Sequence, residues 1–326
     1  MKEFNVIDWQ SLDLKISGEK HFIIRAFGRT MPDNKNKDND EVISLEIRGF
    51  KPYFYFEIQE KLENGDWVNR YFEIPDIEDI LRTLKCKING REDCYLNDDE
   101  KDDEKIIQEK ENILKNDVFT EIINERIEIV NRKKFDYFRN NQEDQFYMVR
   151  FETKRAFNLY KKLLKKVTKN EDFEYENKNY RFIQYESNIE PIIRFFHEQK
   201  INPSGWIKCE DYCAILKGKN SMVQENINAY FCNSYRDVLP VENNMIAPFK
   251  IASFDIECTS HDGNFPQAKR AEDKIIQIGI TTHRQGEMNP YEECIITLKP
   301  CQRLKDVKRF KVCDDEKDLL LTFAEY

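Results

Sequence analysis

Two carboxylates set two residues apart carry the clearest chemical signal in this sequence. They are Asp255 and Glu257, in Phe254-Asp255-Ile256-Glu257-Cys258-Thr259-Ser260. Along an extended strand, residues i and i+2 project from the same face. Asp255 and Glu257 would then aim together, while Phe254 and Ile256 are expected to enter a core on the other side. Neighbouring carboxylates repel unless a positive charge joins them. Mg²⁺ suits that role, because it binds through one or two carboxylates and keeps waters or phosphate oxygens as its other ligands. In two-metal phosphodiester cleavage one ion sharpens an attacking water and the other steadies the leaving oxygen. A half-exposed strand with two solvated carboxylates has the same sequence, so spacing alone leaves both readings open.

Other constellations say less. Cys209 and Cys213 have a spacing that could serve zinc, with Cys232 or His197 as further ligands, but no second close cysteine pair follows. Ordinary packing cysteines are the expectation. The four His are far apart, and ten Gly include no phosphate-cradling loop. Lys161, Lys162, Lys165 and Lys166 share the polar side of a helical pattern. They could meet phosphates, although such a face is more often simply solvated. Tyr53-Phe54-Tyr55-Phe56 could stack on bases if two of the rings faced solvent; a core strand is the plainer expectation.

The elements that position these residues read as α+β. His21–Phe27, Glu41–Ile47 and Pro52–Ile58 have strand patterns, the second with half-buried alternation, and Gly49 and Pro52 punctuate them. Residues 91–115 are highly charged, and Asp98–Lys105 has no apolar side chain, so a solvated insertion is expected there. Phe146–Phe151 suits a strand and Arg155–Val167 an amphipathic helix. Tyr180–Ile183 reads as a strand. Ser187-Asn188-Ile189-Glu190 fits a capping box before a helix that starts at Pro191. Asn202–Gly205 ends that helix and Trp206-Ile207 begins another strand. Beyond a linker at Ala247-Pro248, Ile251–Glu257, Lys274–Thr281 and Glu293–Leu298 form an expected antiparallel meander. A helix follows over Asp315–Tyr326.

Composition excludes several classes. The chain has 326 residues, which suggests about two domains. No apolar run is long enough to span a membrane, and Met1-Lys2-Glu3-Phe4 does not open a secretion signal. Nine scattered Cys argue against a disulfide framework and for a reducing, intracellular compartment. With 52 Lys and Arg against 61 Asp and Glu, the net charge is −9, so contact with nucleic acid needs a local basic patch or metal ions.

Ile251-Ala252-Ser253-Phe254-Asp255-Ile256-Glu257-Cys258 resembles the first exonuclease motif of family B DNA polymerases. Phe265-Pro266 and Asp273-Lys274-Ile275-Ile276-Gln277-Ile278-Gly279 continue the pattern. Upstream, so do Tyr185–Ile189, Arg194-Phe195-Phe196 and Gly205-Trp206-Ile207. The resemblance is to delta-type enzymes of eukaryotes and large DNA viruses, close from Phe146 to Tyr326 and looser before. It implies a polymerase N-terminal domain over 1–243, then the first part of an RNase H-like 3′–5′ exonuclease domain over 244–326. It also implies that Asp255 and Glu257 are catalytic ligands of two Mg²⁺ ions. The family's other two carboxylates, in an Asn…Phe-Asp and a Tyr…Asp motif, are expected beyond Tyr326, as are the palm motifs.

The expected function is therefore the front end of a replicative DNA polymerase, with half of a proofreading site and no nuclease activity in isolation. Its implied partners are a primer-template, a single-stranded 3′ end, the rest of the polymerase and a sliding clamp, at a nuclear or cytoplasmic viral replication site. A stand-alone single-strand-binding module with a dead exonuclease remnant is the alternative. A small independent metal nuclease is a third reading.

Overall fold

The computed structural model describes residues 1–32, 40–89, 127–134, 140–170, 173–215, 227–303, 305 and 307–326. The charged stretch 91–115 lies outside these residues. Two compact units are present. One comprises Met1–Phe27 with Ile43–Val241, and the other Gly28–Val42 with Glu242–Tyr326. Among the described residues, no helix is long and apolar enough to cross a membrane.

The first unit contains two sheets. The seven-stranded sheet is built from β1 (Lys2–Ile16), β2 (Glu19–Arg29), β3 (Val42–Ile47), β10 (Trp206–Cys209), β11 (Cys213–Ala214), β12 (Asn228–Cys232) and β13 (Val238–Val241). Its order is β11-β12-β3-β2-β1-β10-β13, with β12 and β3 parallel. Three strands separate β10 from β12, yet buried Cys209 and Cys232 belong to one core cluster. The sheet therefore curls around its own core. Phe4, Phe22, Ile24, Leu45, Ile47 and Ile207 fill that core.

The second sheet, order β6-β7-β4-β9-β8, joins β4 (Tyr53–Lys61), β6 (Ile127–Lys133), β7 (Glu143–Arg150), β8 (Phe173–Tyr175) and β9 (Lys178–Tyr185), with β5 (Trp67–Arg70) paired to β4. Helices α1 (Ile74–Asn89) and α2 (Lys154–Asn170) pack on one face. Phe54, Phe56 and Ile58 of β4 enter this helix-covered core. Tyr53 and Tyr55 point the other way, into the core of the curled sheet. Both faces are thus covered, which explains four consecutive aromatics in one strand and leaves none free for base stacking.

Two sequence expectations need correction here. Strand β3 is not half-buried: Ile43 through Ile47 are all buried, because β3 lies inside the sheet and Arg25 and Arg48 neutralise Glu46. The capping box at Ser187–Glu190 does not form. Glu190 is itself the N-cap of α3 (Pro191–Gln199) and makes no side-chain cap, because its carboxylate pairs with Lys154 at 2.6 Å. Pro191 does occupy the first turn. Gly49 has a mechanical role beyond punctuation. Its φ is +84°, and a Cβ there would sit 3.0 Å from the Asn233 carbonyl oxygen, so only glycine fits without strain.

The second unit holds a four-stranded sheet of β14 (Lys250–Cys258), β15 (Ile275–Arg284), β16 (Glu292–Leu298) and β17 (Arg309–Cys313), in that order. The first three strands are the antiparallel meander expected from sequence. β17 then pairs parallel to β16. Helix α4 (Glu316–Glu325) is capped by the Asp315 carboxylate, which accepts from the Asp318 amide. It covers one face through Leu319, packed with Ile278, Ile280, Cys294 and Ile296. The observed fold is mixed sheets with few helices, as α+β requires.

Candidate functional site

Asp255 and Glu257 lie on β14, an edge strand of the second unit's sheet. Asp255 stands opposite Gly279 and Glu257 opposite Gln277, and a register shift follows between Glu257 and Cys258. Strand alternation puts both carboxylates on one face. Phe254 and Ile256 pair with Ile280 and Ile278, on the face that α4 covers. They do not enter a closed core as expected, remaining 57% and 40% exposed. The reason is that α4 sits over the central strands, with Phe323 turned toward β14, its ring centroid 5.2 Å from that of Phe254.

Both carboxylates are exposed, and neither has an ion-pair partner among the described residues. The Asp255 carboxylate accepts one short-range bond, from the Ile256 amide at 3.0 Å. Gly279 leaves the space beside Asp255 open, since a Cβ at that position would meet nothing within 4 Å. A depression of about 390 Å³ lies there, lined by Ser253, Asp255, Gly279, Thr281, Glu293 and Ile295 among others. Two exposed carboxylates on one strand face, Asp255 of them beside open space, fit a divalent cation that keeps most of its ligands from water or phosphate. No third His, Cys, Asp or Glu joins them among the described residues, so they would supply only part of a coordination shell.

The connection from β14 to β15 is held by its own polar groups. Thr259 and Lys274 close its base through reciprocal bonds of 2.8 and 3.0 Å. Asp262 makes a turn with the Asn264 amide and pairs with Arg270 at 2.7 Å. Buried Asp273 accepts from the His261 and Gln267 amides at 2.8 and 2.9 Å. Those two amides, ahead of Arg270, hold the Asp273 carboxyl below its ordinary value of 3.8. Asp262 is lowered too, first by hydrogen bonds from Asn264 and then by Arg270. Asp273 thus fixes the connection that leaves Glu257, a role its place in the sequence motif did not disclose.

A depressed carboxyl stabilises the folded state above its ordinary pKa and loses that contribution as pH falls through the lower, folded value. Asp273→Asn should accordingly speed hydrogen exchange of the His261 and Gln267 amides at neutral pH. The difference in stability between wild type and variant should narrow below about pH 4, read by acid denaturation of the second unit. Equal exchange rates in the two proteins would remove this role from Asp273.

The cysteine candidates do not form a site. Cys209 and Cys232 are buried against each other in the curled sheet, and Cys209 also donates to the Asp211 carbonyl. Cys213 is exposed and His197 lies on the outside of α3. Cys209 and Cys232 are packing cysteines, as expected, whereas Cys213 is not.

Residues 182–326 match the exonuclease domain of DNA polymerase family B. The chain is 34% identical over 99% of its length to a DNA polymerase of Acanthamoeba polyphaga mimivirus, of which it covers 16%. It is 30% identical over 89% of its length to the DNA polymerase delta catalytic subunit of Plasmodium falciparum, covering 23% of that protein. With the delta catalytic subunit of Oryza sativa it shares 32% identity over 44% of its length and 13% of the relative. The chain therefore spans less than a quarter of these relatives. The mimivirus similarity also takes in the first 145 residues, where the sequence resemblance was looser.

Proposed function

We propose that this chain is the front part of a replicative DNA polymerase, on the footing that residues 182–326 match the exonuclease domain of DNA polymerase family B. Asp255 and Glu257 are its contribution to a 3′–5′ proofreading site, on an RNase H-like sheet that begins at β14. The observation that carries this reading is the Asp255–Glu257 pair on one face of β14, without ion-pair partners among the described residues, with Asp255 beside the open space at Gly279. A divalent cation held there would supply an activated water and charge stabilisation for phosphodiester hydrolysis. Asp255 and Glu257 would hold it and fix its position relative to the 3′ end. Two carboxylates leave such a shell short of its usual six oxygens. Among the described residues no further carboxylate completes the shell, and on this reading carboxylates from elsewhere in the polymerase would complete it before the site could cleave. DNA is the partner; a sliding clamp and an intracellular replication site, nuclear or viral, follow from the same reading.

Mn²⁺ titration of the isotope-labelled chain tests the site directly. Paramagnetic broadening should begin at the amides of 255–258 and of Gly279. It should vanish from those amides in Asp255→Asn/Glu257→Gln. Broadening that starts elsewhere, or that survives the double substitution, would remove the metal assignment and favour a binding module with a dead exonuclease remnant.

A further inference from the structure

Helix α2 carries seven Lys and Arg and no Asp or Glu in its 17 residues, in a chain whose net charge is −9. Its apolar side is spent, because Ala156, Phe157, Tyr160 and Leu164 pack into the core of the second sheet. On the opposite side, Arg155, Asn158, Lys162 and Lys165 recur at intervals of three, four and three. All four are exposed, so they form one stripe. At about 1.5 Å per residue the stripe is roughly 15 Å long. A depression of about 410 Å³ runs along its first half, lined by Asp13, Lys154, Arg155, Asn158, Leu159 and Lys162.

The acids near this surface are already occupied. Both Asp13 oxygens cap the helix, accepting from the Lys154 and Arg155 amides at 2.7 and 3.0 Å. Glu190 is paired with Lys154. Arg155, Lys162 and Lys165 have no ion-pair partner among the described residues. Like charges three or four residues apart each cost a helix about 0.2–0.5 kcal/mol, and here no acid within the helix offsets them. An extended polyanion lying along the stripe would. A 15 Å stripe spans on the order of four phosphates at about 3.4 Å per nucleotide.

We propose that the Arg155–Asn158–Lys162–Lys165 stripe of α2 is a docking surface for the phosphate backbone of a nucleic-acid strand, on the first unit and independent of the Asp255–Glu257 pair. That the polyanion is a nucleic acid, rather than an acidic protein, rests on the polymerase reading above. Asn158 adds a neutral donor between the cations. A backbone contact of this kind positions a strand without reading its sequence.

The test measures binding of the 326-residue chain to a fluorescein-labelled single strand of about 20 nucleotides by anisotropy, in EDTA, between about 50 and 200 mM salt. Arg155→Gln/Lys162→Gln/Lys165→Gln keeps good helix formers and removes three charges. It should weaken binding roughly tenfold to a hundredfold at about 100 mM salt and flatten the log–log salt slope by about 2. Arg155→Lys/Lys162→Arg/Lys165→Arg, which keeps the charges, should restore the wild-type slope, and restoration would show that charge rather than helix damage is being read. Because binding is read in EDTA, with no divalent cation at Asp255 and Glu257, failure of the metal site leaves this proposal standing. Wild-type binding by the Gln variant, no binding by the wild type, or equal displacement by a polyglutamate of matched charge would each overturn it. The last of these outcomes would assign the stripe to an acidic protein.

Discussion

Lys134→Met should lower the unfolding free energy of the first unit by about 3–5 kcal/mol, as expected when one member of a buried ion pair is removed. Glu57 is only 2% exposed. The Lys134 ammonium reaches both of its oxygens, at 2.6 and 2.7 Å. Tyr185 donates its hydroxyl at 2.7 Å and Asn69 its amide at 3.1 Å. Lys134 also lies 5.6 Å from the Phe146 ring centroid and 5.5 Å from that of Tyr185. The carboxylate is therefore fully satisfied only while the ammonium is present. Without it, the buried Glu57 carboxylate is left among aromatic rings with no cation beside it. Removing Glu57 alone should be comparably damaging, since it strands the ammonium. Replacing both by Met should recover much of the loss, because the pair has itself been withdrawn from water at high cost. All three Trp, at 9, 67 and 206, belong to the first unit, so denaturation followed by tryptophan fluorescence isolates its transition. A loss below about 1 kcal/mol for Lys134→Met would class the pair with exposed salt bridges.

The sequence made the strands and the carboxylate pair legible because both are local. β4, β7, β14 and β15 were readable from aromatic and β-branched runs, and Asp255 and Glu257 from a spacing of two. The covering of β4 on both faces was foreshadowed by Tyr53-Phe54-Tyr55-Phe56, since an uncovered face would have alternated with polar residues. Helix α1 had a readable signal, Ile77, Ile80 and Leu81 at helical spacing and all buried, yet its charged company obscured it. β3 misled for a different reason. Glu46 looked solvent-facing, and only the fold shows Arg25 and Arg48 meeting it. The Glu57–Lys134 pair joins residues 77 apart, and no local pattern announces such a contact. The same is true of Cys209 and Cys232, which meet because a sheet curls. At the site itself, residue types were legible, but the reason for Gly279 was not, because it depends on the β14–β15 register.

That register leads to the sharpest separation between folding and function. In a polypeptide that carries the complete exonuclease region, Asp255→Asn should reduce metal-dependent 3′ excision by at least about a hundredfold, equivalent to roughly 3 kcal/mol of transition-state stabilisation. The fold should survive, since Asp255 is exposed and its single hydrogen bond goes to the adjacent amide. Gly279→Val should lose excision to a similar degree by another route. Gly279 has no positive φ to protect, and a Cβ there meets nothing within 4 Å, so the chain can accept the side chain. Valine also suits a strand better than glycine, by up to about 1 kcal/mol, and melting of the second unit should be unchanged or slightly raised. The isopropyl group would nevertheless occupy the space beside Asp255 where, on the proposed reading, a metal-bound phosphate would sit. Excision and thermal melting, measured on the same preparations, distinguish the outcomes. Full excision by Gly279→Val would show that the depression is not where the 3′ end sits. A fall in melting temperature alongside lost activity would show that the glycine is there for packing. Intact melting with lost excision is the result that ties this open space to the work of Asp255 and Glu257.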